Sequence, residues 1–312
     1  MNPKLGFLFA TAVVAPAVFA PSPLAAQAFT LPQGVGAVTL AWQYVDNTGH
    51  RLSDGFLRHA GQSLSQSVVF EAEYGVTDRL SATFGIPYVF AKYTGSLPPP
   101  SGLPVDSCKC WHSSFQDFTL AARYNFGNDP WAATPIVRYV RPSHDYNFVG
   151  EAAVGRDLEE LQVGLSAAIK LVGFLPKASV QAGYTYSFVE KVLNIKNDRA
   201  NGFIQLGYVV TPRLFVHADG TWQRTHGGLR IGSVTGDPFP IPGEFNTPAK
   251  LAQRDRLTRS KYWHVGGGVS YSAGPVDLFA AYTKYVSGTD THNGQVYIVG
   301  ATWYFDLSKT SR

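Results

Sequence analysis

The feature that most constrains this chain is a two-residue rhythm that recurs along nearly its whole length. In residues 38–44, Val38, Leu40, Trp42 and Tyr44 share one parity, with Thr39, Ala41 and Gln43 on the other. Successive side chains of a strand point to opposite faces, so such a segment has one apolar and one polar face. The rhythm returns in residues 67–74, 80–88, 117–126, 134–139, 161–170, 178–188, 204–210, 214–223, 263–271, 276–283 and 297–305. Its clearest instance sets Ala178, Val180, Ala182, Tyr184, Tyr186 and Phe188 against Ser179, Gln181, Gly183, Thr185 and Ser187.

The connections sort by length. Residues 75–79, 127–133, 172–176, 211–213 and 272–275 form short, turn-rich links. Residues 46–63, 94–114, 141–156, 189–202 and 224–261 form long ones, and 287–292 is intermediate. Tight turns at one end and long loops at the other are the signature of a transmembrane antiparallel β-barrel of the outer-membrane type. A soluble sandwich has no reason to sort its loops by parity. The apolar parity also carries aromatics toward the strand ends, at Tyr44, Tyr74, Tyr88, Tyr124, Tyr186, Trp222, Tyr271 and Trp303. Aromatic girdles sit there when a barrel crosses lipid. A soluble barrel would be inverted, with a dry interior and a charged exterior. The reading is therefore an all-β barrel of about twelve strands, with a small, polar inward face.

Composition agrees. Mean hydropathy is near zero, as expected when only every second residue meets lipid. Charged residues make up 15%, against about 25% in soluble domains. A formal net charge of +4 gives no argument for nucleic-acid binding. The two cysteines, Cys108 and Cys110, are too few for a disulfide framework.

Residues 1–28 read as an export signal. Met1-Asn2-Pro3-Lys4 is a short positive start, residues 5–20 are apolar, and Ala26-Gln27-Ala28 matches a small-residue cleavage site. Pro16, Pro21 and Pro23 interrupt the run, which argues against a membrane anchor. The barrel domain then occupies 29–312, with a closing strand at 295–305 and a short extension at 306–312. Export with an even strand count places both ends in the periplasm and the long loops outside, in a Gram-negative outer membrane.

The closing segment, Tyr297-Ile298-Val299-Gly300-Ala301-Thr302-Trp303-Tyr304-Phe305, resembles the C-terminal strand by which bacterial outer-membrane proteins address the barrel-assembly machinery. This chain departs from that pattern by running on through Asp306 to Arg312. More widely, the chain resembles the outer-membrane family named for a putative meta-pathway of phenol degradation. The resemblance rests on Glu73-Tyr74-Gly75-Val76-Thr77-Asp78-Arg79-Leu80, Ile86-Pro87-Tyr88, Asp117-Phe118-Thr119-Leu120 with Arg123-Tyr124, Gly207-Tyr208-Val209-Val210-Thr211-Pro212-Arg213-Leu214 and Val286-Ser287-Gly288-Thr289. It implies a channel for small hydrophobic or aromatic solutes entering by passive diffusion.

Fixed charges on the inward face bias which solutes enter a narrow lumen. The candidates for lining a passage are Glu71, Glu73, Asp117, Arg123, Arg138, Lys170, His217, Asp219 and His264. Opposite charges inside a small barrel also pair and fill it. Barrels of about 8 strands are filled and those of about 16 leave a channel, so about twelve leaves both readings open. In the fifth long loop, Arg254, Arg256, Arg259 and Lys261 are candidates for contact with an anionic solute or with the phosphates of outer-membrane lipid and lipopolysaccharide. Cys108-Lys109-Cys110-Trp111-His112 offers a local disulfide; as a metal site it would supply at most three ligands. No cofactor, metal site or catalytic residue is expected. Thr291-His292-Asn293-Gly294 resembles the histidine segment of the outer-membrane phospholipase, yet no serine sits where that nucleophile would follow. His217 and Asp219 share a face without completing a triad. Two alternatives stand beside the channel: a plugged structural or adhesive barrel acting through its loops, and a lipid-modifying enzyme.

Overall fold

A computed structural model describes residues 28–59, 61–95, 108–233 and 243–307. The expected signal segment, apart from Ala28, lies outside the described residues, as does the end of the C-terminal extension. The strands are β1 (Val35–Arg51), β2 (Leu57–Arg58), β3 (Gly61–Gly75), β4 (Leu80–Gly95), β5 (His112–Phe115), β6 (Asp117–Tyr124) and β7 (Trp131–Pro142). They continue as β8 (Glu160–Lys170), β9 (Ala178–Val189), β10 (Asn197–Thr211), β11 (Leu214–Gly227), β12 (Lys261–Ala273), β13 (Val276–Thr289) and β14 (Thr291–Asp306). Two short helices, α1 (Pro248–Ala252) and α2 (Arg254–Leu257), stand between β11 and β12.

All twelve alternating segments are strands, and each pairs antiparallel with its neighbour in sequence. β14 returns to β1, from Val35↔Asp306 to Arg51↔Thr291, so the sheet closes into a barrel of twelve long strands among the described residues. Closure leaves no open edge in the ring, the condition for a sheet to stand in hydrocarbon. β2 and β5 are extra, pairing with β1 and β4 outside the ring.

Exposure follows the predicted parity. Leu40, Phe70, Phe84, Leu120, Val137, Leu165, Leu206, Val265, Leu278 and Val299 all point outward and exposed. Their aromatic neighbours form belts: Tyr44, Tyr282 and Tyr297 run side by side across β1, β13 and β14, with centroids 6.2 and 5.0 Å apart. Tyr74, Tyr124, Trp131, Tyr208, Tyr271 and Trp303 lie exposed at the other end. Such a surface is stable against lipid and not against water.

Strand ends differ from the expected loop limits where backbone pairing outlasts the side-chain alternation. β1 and β3 remain paired to Asn47↔Ser63, and β10 and β11 to Asn197↔Gly227. Residues 287–292, read as an intermediate loop, form a tight turn at Asp290, whose φ is 51°.

Candidate functional site

The interior is where polar chemistry concentrates. Glu73 on β3 and Arg123 on β6 are almost fully buried and form an ion pair across β4. Farther out, Arg199 Nη2 on β10 donates to Glu160 Oε1 on β8 at 2.7 Å, with both side chains about 1% exposed. Gln162 Nε2 donates to the other oxygen of Glu160 at 3.3 Å. Arg138 on β7 donates to Gln162 Oε1 at 3.4 Å and interacts electrostatically with Glu71, Arg123 and Glu160. The result is a ladder of compensated charge along β3 to β10, which burial requires. A separate network joins β10 to β11: Gln205 Nε2 donates to Asp219 Oδ1, and His217 Nδ1 meets Asp219 Oδ2, both at 2.8 Å. His264 lies buried on β12 with its ring 4.7 Å from Tyr262.

The opposite wall is unlike this one. Ala41 and Val45 of β1, Phe279 and Ala281 of β13, and Val296 and Ile298 of β14 form one buried apolar cluster, with Val69 packed against it. In a ring of twelve, β14 stands six strands from β8. The apolar wall therefore lies across the lumen from the strands carrying Arg138, Glu160 and Gln162. Phenyl rings also face inward elsewhere: Phe203 on β10, the strand of Arg199, and Phe215 on β11, its ring 5.9 Å from that of His217. Phe203, Phe215 and Phe279 lie over Gly183, Gly207 and Gly300 of the adjacent strands, where any Cβ would strike the ring. A bare backbone leaves the space that each ring occupies.

Chain packs into both ends of the barrel. At the inner end, Ala28 and Leu31 are buried. The Ala28 carbonyl accepts from Thr134 Oγ1, and Gln33 N–H donates to Asp78 Oδ1 at 3.0 Å. At the outer end, residues 143–159 fold inward, and Tyr146, Ala152 and Val154 pack on Val89, Ala91 and Tyr93 of β4. Tyr146 donates its hydroxyl to Asp117, and burial beside that carboxylate pushes the phenol well above its ordinary value. Leu52, Ile231, Phe245 and Leu257 form a second cluster joining the end of β1 to the α1–α2 loop.

Among the expected lumen residues, Glu71, Glu73, Arg123, Arg138, His217, Asp219 and His264 stand on the inward face. Asp117 lies at the outer end of β6 under the inserted loop. Lys170 sits at the inner rim, 2.9 Å from Asp129 and over the Phe29 ring. The loop cations divide. Arg254 is buried against Glu151 and Asp255, each at 3.1 Å. Arg256 pairs with Asp157 and stacks on Phe148. Arg259 Nε donates to the Gly227 carbonyl at 2.9 Å. Lys261 is exposed. Arg254 and Arg256 thus fasten the inserted loop from within. Cys108 and Cys110 are joined in a disulfide, with His112 Nε2 3.3 Å from Cys108 Sγ.

Sequence reasoning missed Glu160, Arg199 and Tyr146, and it missed the apolar wall. Expecting a small, polar inward face was incomplete: Val45, Phe203, Phe215, Phe279, Val296 and Ile298 are large apolar residues at inward parity. That breach of parity was the available signal.

No family model matches the chain, and no curated protein matches it. Among solved structures, it is similar to an outer membrane channel from Pseudomonas putida F1, with a TM-score of 0.67 at 13% identity, covering 89% of this chain and 97% of that one. The β domain of a Bordetella autotransporter superposes with a TM-score of 0.50 at 15% identity, over 88% and 100% of the two chains. These likenesses establish the outer-membrane β-barrel fold.

Proposed function

We propose that this chain is an outer-membrane channel that admits small hydrophobic or aromatic solutes by passive diffusion. The observation that carries the reading is an inward face divided between an apolar patch on β1, β13 and β14, with further phenyl rings on β10 and β11, and paired charges whose centre on β7 and β8 lies across from that patch. A flat aromatic solute packs on the patch and directs its polar group to the charges. Because the charges are compensated, the lumen attracts small ions weakly and selects instead by surface chemistry. The resemblance to the phenol-degradation family and the fold shared with a bacterial outer-membrane channel support this reading.

The outward apolar belts fit residence in a Gram-negative outer membrane, among lipid and lipopolysaccharide. Export through residues 1–28 and assembly through the closing strand complete the reading. Uptake into proteoliposomes tests the solute class. A simple phenol should enter faster than a sugar of equal size, and Phe215→Ala with Phe279→Ala should erode that preference. Equal rates for the two solutes would refute it.

One observation favours a second reading. Residues 28–33 pack into the inner end and the inserted loop into the outer end, so chain enters the barrel from both mouths. A permanently closed barrel acting through its loops would give no solute uptake in the same assay.

A further inference from the structure

At the outer end of the closing seam, His50 on β1 stands directly opposite His292 on β14. A register shift between Asn47 and His50 produces that pairing, and bulges commonly re-aim side chains in this way. The two imidazole centroids are 4.1 Å apart. Between them the inserted loop delivers Glu151, whose Oε2 lies 3.4 Å from His292 Nε2 and 4.0 Å from His50 Nδ1. All three donor atoms lie within 4.8 Å of one another.

We infer that His50, Glu151 and His292 form a binding site for a divalent transition-metal ion of the zinc class, which clamps residues 143–159 to the barrel seam. Two imidazoles and a carboxylate are a common ligand set for such an ion. At metal–ligand distances of about 2.0–2.2 Å, tetrahedral ligands stand roughly 3.3–3.5 Å apart, so closure needs movements below an ångström or so. Glu151 is already in position. Its carbonyl accepts from Ser63 Oγ at 2.6 Å, Ala152 beside it is fully buried, and Gly150 N–H donates to Asp255. Arg254 occupies Oε1 at 3.1 Å and leaves Oε2 turned to the imidazoles, the place of an outer partner that orients a ligand. The side chains of His50 and His292 are 26% and 33% exposed, which leaves an entry path and room for a fourth, exchangeable ligand. The site is independent of what passes through the lumen.

The test is calorimetric titration of zinc chloride into the full chain, refolded in detergent with the Cys108–Cys110 disulfide kept oxidised. One saturable site is expected. His50→Gln with His292→Gln should abolish it while the heat-modifiable gel mobility of a folded barrel persists. His112→Ala should leave it intact, which separates it from the cysteine loop. Magnesium and calcium, which favour oxygen ligands, should give no comparable signal. Zinc should also raise the unfolding temperature of the parent and not of the double variant, because only the folded loop brings Glu151 to the histidines. Absence of saturable binding by the folded parent, its survival in the double variant, its loss in His112→Ala, or equal binding of calcium would each overturn the proposal.

Discussion

Glu73 and Arg123 show what a buried charge demands at the scale of one residue. Each is nearly inaccessible, and each compensates the other across an intervening strand. Removing one partner strands the other in a low-dielectric interior, so Glu73→Gln should destabilise the barrel by about 3–5 kcal/mol. Adding Arg123→Met should recover most of that loss, because an apolar pair of similar volume carries no uncompensated charge. Urea unfolding in lipid vesicles, followed by tryptophan fluorescence, reads both. Gly300 makes a different demand. Its missing Cβ is the space in which the Phe279 ring lies, so Gly300→Val should push that ring into the lumen. The expected cost is about 1–3 kcal/mol of overpacking, together with a lower single-channel conductance. An unchanged conductance would show that the ring does not border the passage.

At the scale of elements, the strands were legible in the sequence and the loops were not. A period of two is a local property, and twelve repetitions of it, with links sorted by length, fixed both the strands and their antiparallel order. Glu73, Arg123, His217 and His264 were placed on the inward face by parity alone. Their partners were not legible: Glu73 meets Arg123 across β4, a pairing set by barrel curvature and side-chain reach. The inserted loop was hidden for a related reason. Tyr146 and Glu151 belong to a stretch of mixed character without a two-residue rhythm, and only contacts with β4, the seam and the α1–α2 loop bring them inside. Arg254 and Arg256 read as contacts for an external anion or lipid phosphate because the carboxylates they meet, Glu151 and Asp157, lie about a hundred residues away. If Tyr146 holds this loop down, Tyr146→Ala should give larger and noisier single-channel currents while the heat-modifiable mobility of the barrel stays unchanged, since residue 146 is not part of the wall. Currents indistinguishable from the parent would mean that the loop does not obstruct the path.

For the whole molecule, the arrangement is that of a protein turned inside out, with lipid as solvent for one parity and a divided lumen for the other. Leu165, about half exposed in the middle of β8, tests the first half of that statement. Leu165→Arg should cost about 2–4 kcal/mol in a bilayer, whereas on a water-facing surface the same change would be close to neutral. Equilibrium unfolding in vesicles decides between them. The second half is the central claim, and the measurement that reaches it most directly is single-channel conductance of the refolded protein in a planar bilayer, repeated with simple aromatic acids and phenols. The result expected is a small, steady conductance that these solutes block in proportion to their concentration, with the block weakened by Phe279→Ala. A current indifferent to aromatic solutes, or silence from protein whose heat-modifiable mobility proves it folded and inserted, would contradict it.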